Sequence, residues 1–376
     1  MKYRKMPKSP ERLSSLGFGC MRFPTDKDGN IDEAKSFAML HEAYQAGVNY
    51  YDTAWGYHNS QSEPFLGRFL KQINRDKVYV ATKLPCWLIK TREDMDDYLA
   101  KQLERLQTDH IDYYLLHALN KGSWKNVHNL GVLDFLLQAK AKGKIRHIGF
   151  SFHDDYATFS KIIRAFDWDF TQFMLNYLDT NYQAGLRGLR LAASRNIGII
   201  SMEPLRGGKL VSAMPDEVEE VWQKAGNKQS PLERALNWVW NLPECTVLLS
   251  GMSSVEQVTQ NIKLANKSKA QILSEKELRV YGRARKAYLG RVPYLCSGCR
   301  YCMPCPHGVS IPSVLGMYAE ARMFGDEPFN KGEYHGFIKA EARAEQCVSC
   351  GACLPKCPQK IDIPYWMQQI KDFYAD

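Results

Sequence analysis

Cysteine is the residue type with the clearest chemistry in this 376-residue chain, because most of its eleven cysteines lie in two short runs near the C-terminus. The runs read C-S-G-C-R-Y-C-M-P-C-P and C-V-S-C-G-A-C-L-P-K-C-P. Their cysteines are Cys296, Cys299, Cys302, Cys305, Cys347, Cys350, Cys353 and Cys357. Four thiolates within about a dozen residues, with a proline after the last, are typical of the ligands of a [4Fe–4S] cluster. The runs therefore predict an iron–sulfur protein.

The way in which the two runs share their cysteines decides how many clusters they hold. In two-cluster ferredoxins the fourth cysteine of each run ligates the cluster of the other run. We therefore expect one site of Cys296, Cys299, Cys302 and Cys357, and a second site of Cys347, Cys350, Cys353 and Cys305. The first run has two residues, not three, before its fourth cysteine, so one cluster remains the alternative to two.

Zinc and disulfide bonds are the competing uses of these cysteines. Structural zinc takes four ligands, usually as two separated pairs and often with histidine, which fits two complete cysteine quartets poorly. Disulfides form in oxidising compartments, and the basic N-terminus lacks the apolar segment of an export signal. No stretch is long and apolar enough to predict a membrane span. We therefore expect iron–sulfur clusters and a cytoplasmic location.

The formal net charge of +9 raises the question of nucleic-acid binding. From Lys286 onward the cationic and anionic residues almost balance, so the excess lies in the first 285 residues, where it is scattered. The densest basic run, at 140–147, resembles the end of a helix followed by the start of a strand. A scattered excess is typical of a solvated surface, so we expect no nucleic-acid partner.

The elements that must position this chemistry alternate between short apolar runs and longer amphipathic segments. The candidate strands are 15–20, 48–52, 78–83, 111–117, 145–151, 170–175, 197–203 and 246–250. Eight β–α repeats over roughly 250 residues predict a (β/α)8 TIM barrel, an α/β fold. A doubly wound sheet is the alternative, although no G-x-G-x-x-G follows the first strand. We expect the barrel at 1–285 and a small, mainly helical ferredoxin-like domain at 286–376.

Four polar residues lie at or just after the ends of three consecutive candidate strands, where TIM barrels place functional side chains. They are Asp52, Tyr57, Lys83 and His117. Each one alone has an ordinary explanation, as a loop aromatic, a surface amine or a buried histidine. Together they predict a proton-delivery site, because a charged Lys83 stabilises the tyrosinate and lowers the pKa of Tyr57. Asp52 would keep Lys83 charged, and His117 would orient a substrate oxygen by a hydrogen bond.

The tetrad and its flanking words, Y-D-T-A-W-G-Y, S-E-P-F-L-G and D-Y-Y-L-L-H, resemble those of the aldo-keto reductases. Over nearly its whole length the chain is similar to the branch of that family fused to a C-terminal 4Fe–4S ferredoxin-type domain. The resemblance implies an NAD(P)H-dependent oxidoreductase that reduces an aldehyde or ketone, with Tyr57 as the general acid. It also implies a nicotinamide cofactor bound across the barrel mouth without a Rossmann domain.

The same resemblance implies which residues contact the cofactor. Ser151 and Gln172 match the positions that hydrogen-bond the carboxamide, while 204–210 matches the pyrophosphate loop and 251–261 the adenosine segment. The implied contacts are Gly19, Met21, Ser151, Gln172, Asn176, Met202, Pro204, Leu205, Arg206, Gly207, Gly208, Gly251, Met252, Ser253, Gln257 and Asn261. Three of these positions, Gly251, Met252 and Gln257, carry Lys, Ser or Arg in NADPH-preferring members. NADH and NADPH therefore both remain candidates.

The two predicted domains leave three functions open. Nicotinamide delivers two electrons as a hydride, whereas a cubane cluster normally moves one, so direct exchange between them is awkward. In the first, the barrel is a carbonyl reductase and the clusters are structural or serve a redox partner protein. In the second, the chain relays electrons in a ferredoxin-linked reaction. In the third, the barrel is a cofactor-sensing subunit. Trp55, Trp87 and Leu88 follow candidate strands and suggest an apolar or ring-shaped substrate, although simple packing explains them equally.

Overall fold

The computed structural model describes residues 1–212, 214–296, 298–325 and 327–375. Its strands are β1 (Tyr3–Lys5), β2 (Arg12–Ser14), β3 (Leu16–Gly19), β4 (Tyr50–Asp52), β5 (Tyr79–Leu84), β6 (Ile111–Leu119), β7 (Ile145–Phe152), β8 (Phe170–Met174), β9 (Gly198–Met202) and β10 (Cys245–Gly251). Its helices are α1 (Glu33–Gln45), α2 (Ser62–Leu70), α3 (Glu93–Leu106), α4 (Lys121–Asn129), α5 (Val132–Ala141), α6 (Tyr156–Ala165), α7 (Gly185–Ser194), α8 (Lys209–Ser212), α9 (Asp216–Lys224), α10 (Pro231–Asn241), α11 (Val255–Ala265), α12 (Glu275–Gly290), α13 (Ile311–Phe324), α14 (Glu327–Phe337) and α15 (Ile363–Tyr374).

Strands β3 to β10 form a closed barrel of parallel strands. They pair in chain order from β3 to β10, and β10 returns to pair with β3, so that Gly251 lies opposite Gly19. Each candidate strand of the sequence overlaps one strand of this barrel. Parallel strands joined by helices are the TIM-barrel architecture. The predicted fold is therefore confirmed, and all eight carboxyl ends of the strands lie at one end of the barrel.

The opposite end of the barrel is packed with apolar side chains. The antiparallel hairpin β1–β2 contributes Met6 and Leu13, both fully buried, to a core shared with Tyr50 and Phe170 from the first positions of β4 and β8. A β-carbon added to Gly198, the first residue of β9, would lie 2.3 Å from the Met6 side chain. The hairpin therefore closes the N-terminal end of the barrel, which leaves the other end for binding.

Helices surround the barrel, and α2 and α3 approach each other closely. A β-carbon added to Gly67 of α2 would lie 2.4 Å from the backbone carbonyl oxygen of Arg105 in α3. No side chain fits at that distance, so glycine is required there by the packing of the two helices. This contact holds α2 beside the end of β4, from which the loop carrying Tyr57 departs.

The chain divides into two compact units. The first unit holds Met1–Gly207 and Pro231–Leu273, and the second holds Gly208–Ser230 and Ser274–Asp376. The domain limit expected from the sequence, at 285/286, lies within α12. In the structure α12 packs with α9: the rings of Trp222 and Tyr281 meet edge-on with centroids 4.9 Å apart.

The second unit is mainly helical, as the sequence predicts. Its core is built on buried side chains from α13, α14 and α15, together with residues that flank the cysteine runs. The rings of Tyr334 and Tyr374 stack with centroids 4.0 Å apart, which joins α14 to α15. None of the described helices is long and apolar enough to cross a membrane.

Candidate active site and cysteine sites

The four polar residues predicted to act together lie together at the carboxyl end of the barrel. Asp52 is the last residue of β4, and Lys83 lies next to the end of β5. Lys83 Nζ donates hydrogen bonds to Asp52 Oδ1 at 2.6 Å and to the Thr53 carbonyl at 2.7 Å. The same ammonium lies 3.4 Å from the Tyr57 hydroxyl. The Tyr57 and His117 rings meet edge-on with centroids 6.0 Å apart, which completes the group.

Burial and charge set the protonation states of this group. Burial raises the pKa of Asp52, and attraction to Lys83 and the nearby amide of Gln172 offset it in part. Burial acts to lower the pKa of Lys83, but the interactions with Asp52 and Tyr57 outweigh it, so that the pKa is raised. Lys83 is therefore a charged ammonium that is only 1% exposed.

The net direction for Tyr57 differs from the sequence-based expectation. Lys83 lowers the pKa of Tyr57 as expected, but burial of the hydroxyl raises it by more, and the pKa is raised overall. The expectation considered only the neighbouring charge, whereas desolvation disfavours the tyrosinate more strongly. Tyr57 is thus fully protonated at neutral pH, which is the state a proton donor needs.

His117 is neutral in this environment. Burial lowers its pKa well below 6.5, and the charge of Lys83 lowers it further. Its Nδ1 is buried and has no hydrogen-bond partner in the described part of the chain. The Trp87 ring lies beside it, with centroids 5.0 Å apart. A neutral imidazole can donate one hydrogen bond to a substrate oxygen without competing for the proton of Tyr57.

A buried polar network that no sequence motif indicates contacts the backbone of Lys83. Gln102 of α3 donates hydrogen bonds to the Lys83 carbonyl at 3.0 Å and to Glu63 at 2.7 Å. Thr82 donates to the same Glu63 carboxylate at 2.6 Å, and Arg105 pairs with it at 3.3 Å. The only sequence signal is the occurrence of polar residues on the buried faces of α2 and α3. The network orients the end of β5.

The positions matched to the nicotinamide carboxamide are neighbours. Ser151 of β7 lies opposite Gln172 of β8 in the barrel register. Gln172 Oε1 is buried and has no hydrogen-bond partner among the residues that the structure describes, and Gln172 Nε2 lies 3.9 Å from Met202 Sδ. Ser151 Oγ accepts a hydrogen bond from the Ala118 amide at 2.7 Å, which leaves its hydroxyl proton to donate. An acceptor and a donor at adjacent strand ends fit a carboxamide, so these residues fit the implied cofactor.

Asn176 is placed differently from a residue that contacts a ligand. Its Nδ2 donates to Asp179 Oδ2 at 3.0 Å and to the Glu203 carbonyl at 3.3 Å. Its Oδ1 accepts from the amides of Leu178 and Asp179 at 3.0 and 2.9 Å. These bonds use the amide's whole capacity, so Asn176 braces the loop after β8.

The segment matched to the pyrophosphate loop follows β9. The implied cofactor contacts within this segment, 204–210, are Pro204, Leu205, Arg206, Gly207 and Gly208. Both glycines have positive φ, 67° and 101°, and a β-carbon on either would meet nothing within 4 Å. Backbone conformation rather than crowding therefore requires glycine here. Arg206 pairs with Asp179 at 3.2 Å, so this cation is held within the loop region.

The segment matched to adenosine begins at the end of β10. Gly251 and Gly19 lie side by side in neighbouring strands, and Met21 beyond them is 53% exposed. Met252 is 1% exposed and therefore packs in the interior. Of these positions, Met21 is the one whose side chain is accessible to a ligand.

Helix α11 follows this segment and begins with two reciprocal caps. Ser254 Oγ accepts the Gln257 amide at 3.3 Å, and Gln257 Oε1 accepts the Ser253 amide at 2.8 Å. Asn261 Nδ2 donates to Ser250 Oγ at 2.9 Å within the buried interior. These contacts give Ser253, Gln257 and Asn261 structural roles at the start of α11.

The cysteines of the first predicted quartet lie close to one another. Burial raises the pKa of the Cys296 thiol, and the neighbouring Cys299 and Cys357 raise it further. Burial likewise raises the pKa of the Cys302 thiol, as do Cys296, Cys299 and Cys357. The last cysteine of the second run is thus gathered with the first three of the first run.

The second predicted quartet lines a single cavity. Its members Cys305, Cys347, Cys350 and Cys353 all face that cavity, which Cys302 also borders. No three His, Cys, Asp or Glu side chains of the described chain converge closely enough to bind one metal ion. A cubane differs from such a site because it spreads its cysteines over separate irons. The donor set of two all-cysteine quartets fits [4Fe–4S] clusters.

Comparisons with known proteins agree with this geometry. Residues 15–278 match the profile of the Aldo/keto reductase family, and residues 295–361 match a 4Fe-4S dicluster domain. The uncharacterized oxidoreductase YqkF of Bacillus subtilis is 26% identical over 74% of this chain and 95% of its own. L-galactose dehydrogenase of Arabidopsis thaliana is 28% identical over 67% of this chain and 84% of its own.

Further relatives include the NADH-specific methylglyoxal reductase of Escherichia coli, 25% identical over 68% of this chain and 90% of its own. Among solved structures, the holo form of aldo-keto reductase AKR11C1 from Bacillus halodurans has the same fold, with a TM-score of 0.64. It is 24% identical and covers 76% of this chain and 96% of its own. A barrel matched along most of the chain and a cysteine-rich segment matched after it give one conclusion: the protein is an oxidoreductase of the aldo/keto reductase family with a C-terminal 4Fe-4S dicluster domain.

Proposed function

We propose that the protein uses NAD(P)H to reduce an aldehyde or ketone, with Tyr57 as the proton donor, and that its C-terminal domain holds two [4Fe–4S] clusters. The observation that supports the reductase function is the buried ammonium of Lys83. It lies 2.6 Å from the Asp52 carboxylate and 3.4 Å from the Tyr57 hydroxyl. This arrangement stabilises a tyrosinate at the moment when the proton leaves, and not before.

Each residue of the group has a separate role in this reaction. When bound, NAD(P)H supplies a hydride to the carbonyl carbon. Tyr57 gives its hydroxyl proton to the carbonyl oxygen, and the positive charge of Lys83 stabilises the tyrosinate that remains. Asp52 balances the charge of Lys83. Neutral His117 donates a hydrogen bond that holds the oxygen in place, and the carbonyl compound leaves as an alcohol.

The side chains near His117 support an apolar substrate. Trp87 is 56% exposed and Leu88 is 37% exposed, so both are available to cover a ligand. Trp55 differs, because its ring packs edge-on against Tyr98 and lies 3.4 Å from the guanidinium of Arg105. Trp87 and Leu88 therefore supply the apolar contact in this proposal. Gly251, Met252 and Gln257 provide no cation for a 2′-phosphate, which supports NADH as the cofactor. The similarity to the NADH-specific methylglyoxal reductase supports the same cofactor and makes methylglyoxal a first substrate to test.

The substitution Tyr57→Phe tests the reductase function. It removes the proton donor and keeps the ring, so we expect turnover of methylglyoxal or 4-nitrobenzaldehyde to fall by about 10²–10⁴-fold. NADH binding, measured by quenching of tryptophan fluorescence, should be unchanged. The matched control is Tyr44→Phe, in α1, where the ring packs on Phe69. Turnover that survives in Tyr57→Phe within a few-fold would favour a cofactor-sensing role for the barrel.

Iron and sulfide analysis after anaerobic purification tests the clusters. Two cubanes require about eight irons per chain, whereas one requires about four. Titration with NADH under argon then separates two uses of the clusters. Loss of cluster absorbance would favour an electron relay, and unchanged absorbance would favour a reductase whose clusters are structural or serve a partner.

A further inference from the structure

The carboxylate of Glu63 is buried between α2, β5 and α3. Glu63 lies in the first turn of α2 and is 0% exposed. Its Oε1 accepts hydrogen bonds from Thr82 of β5 at 2.6 Å and from Gln102 of α3 at 2.7 Å. Its Oε2 pairs with Arg105, also of α3, at 3.3 Å. One side chain therefore joins three elements of the barrel.

The partners of Glu63 are needed because a carboxylate is costly to bury. Burial raises the pKa of Glu63, and the hydrogen bonds from Thr82 and Gln102 and the charge of Arg105 offset this only in part. The positive end of α2 also favours an anion in its first turn. Breaking one of these contacts would leave a buried charge or polar group unsatisfied. The carboxylate therefore fixes the relative positions of the elements that supply its partners.

Gln102 connects this carboxylate to the strand that carries Lys83. The same Nε2 that donates to Glu63 also donates to the Lys83 carbonyl oxygen at 3.0 Å. Gln102 Oε1 accepts a hydrogen bond from the Tyr114 hydroxyl at 2.8 Å, which fixes the orientation of the amide. The backbone from which the Lys83 ammonium extends is therefore held against α3.

Arg105 connects the same carboxylate to the loop that carries Tyr57. This loop, 53–61, runs from the end of β4 to the start of α2. Trp55 lies within it, and the centroid of its ring is 3.4 Å from the guanidinium carbon of Arg105. Tryptophan is the aromatic side chain that attracts a cation most strongly. Tyr57 therefore lies between two anchored residues, Trp55 before it and Glu63 after it.

We propose that Glu63 is a positioning residue for carbonyl reduction, because it holds the Tyr57 loop and the Lys83 backbone against the same helix, α3. This inference rests on the proposed function, and Glu63 acts through Arg105 and Gln102. The Lys83 ammonium and the Tyr57 hydroxyl are 3.4 Å apart, and the attraction that stabilises the tyrosinate weakens as that separation grows. Releasing the loop from Arg105 therefore slows proton transfer and leaves the nicotinamide contacts on β7 and β8 unchanged.

The test compares Glu63→Gln with Asp112→Asn in the anaerobically purified full-length protein. Both variants remove a buried paired carboxylate, since Asp112 is 0% exposed and pairs with Arg75 at 2.6 Å. Asp112 lies at the start of β6, at the opposite end of the barrel from Tyr57. Both variants should lower the midpoint of urea unfolding. Only Glu63→Gln should slow the oxidation of NADH in single turnovers with methylglyoxal, by about tenfold, with the Kd for NADH unchanged.

Hydrogen–deuterium exchange measures the position of the loop without any turnover. Exchange in segment 53–61 should rise about tenfold in Glu63→Gln and stay at the wild-type level in Asp112→Asn. Arg105→Met removes the contact with Trp55 but keeps the carboxylate, and it should give the same rise even where Glu63→Gln does not fold.

Two results would overturn the inference. One is an equal change of rate and exchange in Glu63→Gln and Asp112→Asn, which would mean that the carboxylate serves stability alone. The other is unchanged exchange in segment 53–61 in both Glu63→Gln and Arg105→Met. Failure of the proposed function looks different, because the wild type itself would then not oxidise NADH with a carbonyl compound, and both proposals would fall together.

Discussion

Burial should decide what the ion pair between Lys83 and Asp52 contributes to stability. Their Nζ–Oδ1 separation is 2.6 Å, and the side chains are 1% and 4% exposed. Asp52→Asn keeps the shape and removes the charge, which leaves the ammonium with the Thr53 carbonyl and the Tyr57 hydroxyl. At an effective dielectric constant of about 20, unit charges at this separation attract by about 6 kcal/mol. Part of this attraction energy is recovered in the variant when Lys83 loses its proton. We therefore expect Asp52→Asn to lower the free energy of unfolding by about 3–5 kcal/mol.

The assay is urea unfolding at pH 7, followed by far-UV circular dichroism and tryptophan fluorescence. The matched control is Asp167→Asn, because Asp167 pairs with Lys8 at 2.5 Å but is 88% exposed. Asp167→Asn should lower the free energy of unfolding by less than about 1 kcal/mol. The double variant Asp52→Asn/Lys83→Met should regain much of the loss, since no buried charge remains unpaired. Equal costs for the two Asp→Asn variants would refute the reasoning, because bond length alone would then determine the effect.

Three further predictions follow from the pKa directions, the helix packing and the cysteine assignment. Burial raises the pKa of Tyr57 and holds that of His117 well below 6.5. The kcat/KM for carbonyl reduction should therefore be level through neutral pH and fall only as alkali deprotonates Tyr57; a fall centred near about pH 7 would contradict this. Gly67→Ala should lower the free energy of unfolding, measured with urea, by about 1–3 kcal/mol, because a backbone carbonyl oxygen of α3 lies 2.4 Å from the added carbon. The control Gly282→Ala adds a carbon with nothing within 4 Å and should not destabilise the protein. Cys305→Ser should lower the iron content from about eight to about four per chain, and an unchanged content would remove this cysteine from the ligands.

The barrel, the helical C-terminal domain and the family can be predicted from local sequence patterns. Each barrel strand corresponds to a short apolar run, and each cysteine run is recognised by its spacing. Both features depend only on residues that are close together in the sequence, so they can be predicted without the fold. Asp52, Lys83 and His117 could be grouped because parallel strands in a barrel share one carboxyl end. That each fourth cysteine ligates the cluster of the other run is an expectation taken from two-cluster ferredoxins.

Properties that depend on burial and on contacts distant in sequence can be read only from the folded chain. Spacing indicates that Lys83 is near Tyr57, but only the extent of burial shows that desolvation outweighs its charge and raises the pKa of that hydroxyl. Asn176 matches a ligand-binding position, yet bonds to residues up to 27 positions away exhaust its amide. Segment 208–230 lies between barrel elements in the sequence but packs with the C-terminal unit. Local sequence patterns predict which residues could take part in catalysis or ligand binding. Desolvation and the hydrogen bonding of buried polar groups are properties of the folded chain, and they decide which of those side chains remain available for it.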